Sequence, residues 1–84
     1  MRPKVRLMCW NIRHGGGARI GRIHATTKAH RPDIIVLTEF RENPPGFCLR
    51  DALSTDGLIF QATSLPPPKK NGVLIATRAV QTMR

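Results

Sequence analysis

Acidic residues are scarce: five Asp and Glu stand against 14 Lys and Arg in 84 residues, a formal net charge of +9. The first acid is Asp33, so residues 1–32 carry only basic charges and all three histidines. Such a balance disfavours acidic or neutral ligands and suits polyanions such as nucleic acid, although a solvated basic face accounts for it equally well. Cysteine is also rare. Cys9 and Cys48 have neither a CxxC nor a metal-type spacing, and both are expected as reduced thiols. No apolar run approaches the roughly 20 residues of a membrane span, and no secretory-length apolar segment follows Arg2, Lys4 and Arg6. These absences predict a soluble, cytoplasmic chain with no membrane partner. The length allows one small domain with a modest core, which suggests a fragment or an oligomer.

Against that background the apolar patterning is clear. Val5 to Ile12 (VRLMCWNI) is β-compatible and too short for a useful helix, so it predicts a strand buried on at least one face, with Cys9 inside it. From Ala18 to His30, Ile20, Ile23 and Thr27 recur at helical spacing, and Pro32 stops the helix. Asp33 to Phe40 (DIIVLTEF) has the continuous apolar run of a central strand buried on both faces. RENPPGF then suggests a turn-rich loop, and FCLRDALSTDGL a second helix through Leu49 and Leu53, closed by Gly57. Leu58 to Ser64 and Gly72 to Thr77 suggest two strands joined by the proline-rich SLPPPKKN, an exposed hairpin loop in preference to a proline-rich ligand motif. The order strand-helix-strand-helix-strand-strand defines an α/β (α+β) architecture.

Residues 8–17, MCWNIRHGGG, raise two chemical alternatives. The glycines invite a phosphate cradle, but GxxxxGK[ST] laid on Gly16 to Ile23 finds Arg22 and Ile23 in place of the lysine and hydroxyl, and GxGxxG from Gly15 meets Ile20. A turn that uses positive φ is favoured. Asn11 and Glu39 each sit near the C-terminal end of a predicted strand and would converge at one sheet edge if the strands are neighbours. A carboxylate placed there suits a hard cation such as Mg²⁺. Taken alone, both residues are more readily explained as caps or surface groups.

The succession LMCWNIRHGG, PDIIVLTEF and NGVLIATR resembles the first part of the endonuclease/exonuclease/phosphatase family of metal-dependent phosphodiesterases, and it spans nearly the whole chain. The resemblance implies a four-layered α/β sandwich, two mixed sheets face to face with helices outside, of which residues 1–84 form the N-terminal portion. By the same resemblance Asn11 matches an active-site asparagine and Glu39 the glutamate that binds Mg²⁺ or Mn²⁺. Thr38 stands where the family often has Gln. The family's later Asp and Asn pair and its Asp-His pair fall outside these 84 residues, and His14, His24 and His30 lie too early to match that histidine. His24 and His30 are expected at the surface or in helix-end contacts. His14, just after the Asn11 strand, and Arg41, just after Glu39, are candidates to touch a phosphate.

The implied activity is divalent-metal-dependent hydrolysis of phosphodiesters, of nucleic acid if charge is the guide, with this portion inactive by itself. The alternative is a non-catalytic basic module, or a decayed remnant, that binds nucleic acid without cutting it. A partial sheet would also leave unpaired edges, so self-association is expected.

Overall fold

LMCWN alternates between exposed and half-buried positions and builds strand β1, Leu7–Asn11, somewhat shorter than predicted. The structure, a computed structural model, describes residues 5–64, 67 and 70–78. After β1 come a short 3-10 turn, Gly17–Arg19, and helix α1, Ile20–His30, which lead into strand β2, Ile34–Phe40. β1 and β2 pair in parallel, with Leu7 opposite Ile34 and Asn11 opposite Thr38, and parallel neighbours need such a crossover. α1 stops where Arg31 turns left-handed at φ 48 and Pro32 follows.

Helix α2, Pro44–Thr55, begins earlier than predicted and takes in the prolines expected in a loop. The first turn of a helix has backbone N–H groups with no intrahelical acceptor, so two prolines there lose nothing. Extended Asn43 caps the turn, its side chain accepting from the Gly46 N–H at 3.0 Å. At the other end Gly57, at φ 101, lets Leu58 N–H reach the Leu53 carbonyl while Gly57 N–H reaches that of Ser54, and Leu58 is buried as the chain turns back. Strand β3, Phe60–Thr63, is trimmed relative to expectation; strand β4, Gly72–Thr77, has the predicted bounds and pairs antiparallel with both β3 and β2. Half of the proline-rich stretch between them, residues 65, 66, 68 and 69, lies outside the described residues.

The sheet order is β1-β2-β4-β3. One face carries Ile35, Leu37, Leu74 and Ala76, which pack with Ile23 of α1 and Leu49 and Leu53 of α2 into a single core, flanked by Met8, Trp10 and Ile20. Burying a side chain such as Leu37 contributes about 1.5–3 kcal/mol. The registers put Leu7, Cys9, Asn11, Ile34, Val36, Thr38, Val73, Ile75, Thr77, Phe60 and Ala62 on the opposite face, none of them charged. That face is open: Leu7 is 62 % exposed, Phe60 58 % and Ile75 42 %. β2 is therefore buried on one face only, and Cys9 is exposed, because both helices lie on the same side of the sheet. Among the described residues there is one sheet, with both helices on one of its faces.

Candidate functional site

β1 and β2 run in parallel, so their C-terminal ends lie together and bring Asn11 to the neighbourhood of Glu39. The approach depends on a bulge. Between Thr38 and Phe40 the β2–β4 register shifts, and Glu39 takes a left-handed φ of 57. The kink breaks the inward-outward alternation, so Phe40 fills the core while the Glu39 carboxylate is freed to meet polar partners. A non-glycine residue at such a φ is strained, and strain of this kind gathers at functional sites.

The turn after β1 completes one wall. Arg13, His14, Gly15, Gly16 and Gly17 all have positive φ, as the glycine cluster suggested, and the coil closes on itself. Asn11 Oδ1 accepts from Arg13 N–H at 2.9 Å, Gly16 N–H donates to the Arg13 carbonyl, and Gly15 N–H donates to the Glu39 carbonyl at 2.7 Å. The Arg19 guanidinium clamps the carbonyls of Ile12 and Arg13, each at 2.8 Å. With the Gly15 amide bonded to β2 and the Gly16 amide bonded within the turn, its geometry is that of a structural turn.

Around the carboxylate, the Asn11 side chain hydrogen-bonds to Glu39, and His14 N–H lies 3.4 Å from Oε1. The Asn11 bond, the largest influence, outweighs the opposing effect of burial, and with the His14 N–H and the charges of His14 and Arg13 it holds the Glu39 carboxyl below the usual carboxylate range. Arg41 Nη2 lies 3.4 Å from His14 Nδ1. The four residues singled out from sequence, Asn11, His14, Glu39 and Arg41, thus form one cluster. His24 and His30 are elsewhere: His24 pairs with Asp56 at 2.6 Å between the two helices, and the His30 carbonyl accepts from Arg6. Arg78, at the far end of β4, ties together the carbonyls of Pro32 and Asp56 and takes no part in the cluster.

One member was missed from sequence. Asn71 Nδ2 donates to Glu39 Oε1 at 3.2 Å, and Asn71 Oδ1 accepts from Arg41 Nε at 2.9 Å. Its place just before GVLIAT carries no site signal of its own, because its meeting with Glu39 depends on β4 running antiparallel to β2.

The donor set fits a magnesium-type ion in part. Mg²⁺ is commonly held by one or two carboxylates while keeping several waters, and Glu39, kept ionised by its neighbours, is such a carboxylate. Among the described residues no group of three or more His, Cys, Asp or Glu could hold a metal. Nor is any described helix long and apolar enough to cross a membrane.

A mixed α/β sheet with a polar cluster at the C-terminal ends of parallel strands defines the class to which the fold points. A solved structure described as an endonuclease/exonuclease/phosphatase from Beutenbergia cavernae DSM 12333 matches 92% of this chain with a TM-score of 0.73 and 27% sequence identity. The chain therefore carries the endonuclease/exonuclease/phosphatase fold in its sheet and helices, and it spans about a quarter, 26%, of the matched protein. No protein-family profile and no curated protein matches the sequence.

Proposed function

We propose that the chain forms the metal-carboxylate corner of a divalent-metal-dependent phosphodiesterase acting on nucleic acid. The observation that carries the proposal is the convergence of Asn11, His14, Glu39 and Arg41 at one end of the sheet, on a fold of the nuclease and phosphatase kind. Glu39 would hold Mg²⁺ or Mn²⁺, and Asn11 orients its carboxylate. A bound ion of this type supplies charge stabilisation at a phosphoryl oxygen. Arg41 and His14 bind the substrate phosphate beside it, and the surrounding basic surface draws in the polyanion without reading its sequence.

One ionised carboxylate is a small share of what phosphodiester hydrolysis needs, so the 84 residues should bind Mn²⁺ weakly and leave DNA uncut. The test pairs Mn²⁺ titration by water-proton relaxation with cleavage of duplex, single-stranded and abasic DNA, using Glu39→Gln as the control. Weak Mn²⁺ binding that disappears in Glu39→Gln supports the assignment; binding unchanged by the substitution refutes it. The second reading, a basic module that binds nucleic acid without cutting it, is favoured by the net charge of +9. It predicts salt-sensitive DNA binding that is indifferent both to metal and to Glu39→Gln.

A further inference from the structure

Asn71 stands between two groups of opposite charge and touches both. Its Nδ2 donates to Glu39 Oε1 at 3.2 Å while its Oδ1 accepts from Arg41 Nε at 2.9 Å. Glu39 and Arg41 form no ion pair with each other among the described residues, although the width of a single amide separates them. A side-chain amide suits this place because it can donate to a carboxylate and accept from a guanidinium at once; a carboxylate there would only accept, and an ammonium would only donate. The two partners also fix which way the amide points, since the flipped amide would set donor against donor and acceptor against acceptor. Arg41 is restrained from two further directions. Its Nη2 reaches His14 Nδ1, and its aliphatic stem lies so close to Gly15 that a Cβ there would sit 2.8 Å from Arg41 Cβ and 2.9 Å from Cγ.

We propose that Asn71 is a positioning residue that keeps the Glu39 carboxylate and the Arg41 guanidinium from neutralising each other, so that one stays available to a cation and the other to a phosphate oxygen. The proposal rests on the function argued above for Glu39 and Arg41, and adds the group that keeps the two compatible. Without the amide, the Arg41 guanidinium swings onto Glu39 as a direct ion pair and competes with any cation. An exposed pair of this kind is weak, so the expected loss of Mn²⁺ affinity in Asn71→Ala is about threefold. Removing the competitor as well, in Asn71→Ala with Arg41→Ala, should restore the affinity. Asn71→Asp keeps the acceptor for Arg41 and adds an anionic oxygen beside Glu39, so it should bind Mn²⁺ more tightly than the wild type.

A readout free of metal decides the same point. In NMR spectra the Arg41 Nε–Hε signal should be protected from solvent exchange in the wild type and in Asn71→Asp. In Asn71→Ala it should move together with the Glu39 carboxyl carbon as the ion pair forms. An Arg41 signal and a Glu39 carbon both unchanged in Asn71→Ala would overturn the proposal, as would an Mn²⁺ affinity that Arg41→Ala fails to rescue. Mn²⁺ binding indifferent to Glu39→Gln would instead count against Glu39 as the cation ligand, and the NMR signals would still judge the role of Asn71.

Discussion

Replacing Glu39 by glycine and, separately, by alanine isolates the strain at the bulge. Both substitutions delete the carboxylate and its bonds to Asn11, His14 and Asn71, so those losses cancel between the two variants. What remains is backbone. Inside an ordinary strand glycine is worse than alanine by about 0.5–1 kcal/mol, because the unfolded chain gains freedom. At φ 57 the order should reverse, since a residue with a Cβ is disfavoured in the left-handed region by roughly 1–2 kcal/mol and glycine is not. The difference leaves Glu39→Gly more stable than Glu39→Ala by about 0.75 kcal/mol, which in a domain of this size shifts the melting midpoint by about 3–6 °C. Thermal and urea unfolding followed by far-ultraviolet circular dichroism, with metal chelated, would measure it. If Glu39→Ala proves as stable as Glu39→Gly, residue 39 is not held left-handed in solution. The account of how Phe40 reaches the core while residue 39 turns to the polar cluster then fails with it.

Other perturbations probe the core, the carboxylate and the sheet edges. Leu37→Ala removes a fully buried side chain and should cost about 2–5 kcal/mol, a large part of the total stability of so small a domain; a loss below about 1 kcal/mol in urea unfolding would show the core to be packed otherwise. Because the folded Glu39 carboxyl lies below its unfolded value, its contribution to stability is complete above the unfolded value and is lost as pH falls through the folded one. A carbon-detected titration should therefore place the Glu39 midpoint below that of an unperturbed glutamate, and Asn11→Ala should raise it; a midpoint at or above that of an unperturbed glutamate contradicts the assigned hydrogen bonds. Sedimentation should show mass rising with concentration through the edge strands β1 and β3, and Leu7→Lys with Phe60→Lys should suppress it, since edge lysines oppose strand pairing; an unchanged distribution would place the contact elsewhere.

Much of this molecule is legible one segment at a time. The order of its elements follows from local apolar periodicity: Ile20, Ile23 and Thr27 mark α1, and GVLIAT marks β4 to the residue. Asn11 and Glu39 stand out because a polar group at the end of an apolar strand is visible in the strand itself. Even the prolines of α2 carry their own instruction, since Asn43 before Pro44 is a local cap signal that the turn-like composition obscured. Tertiary structure decided what depends on two distant segments meeting. Cys9 is exposed because both helices cover the other face of the sheet, a choice that no strand pattern records. Asn71 enters the cluster 32 positions after Glu39 only because β4 runs antiparallel to β2 with Gly72 opposite Phe40, and the bulge at Glu39 appears only when that register is laid down. Periodicity reports which residues avoid water, and it is written within each element; the partner of a polar side chain is set by register and strand order, which take form only when the sheet is assembled.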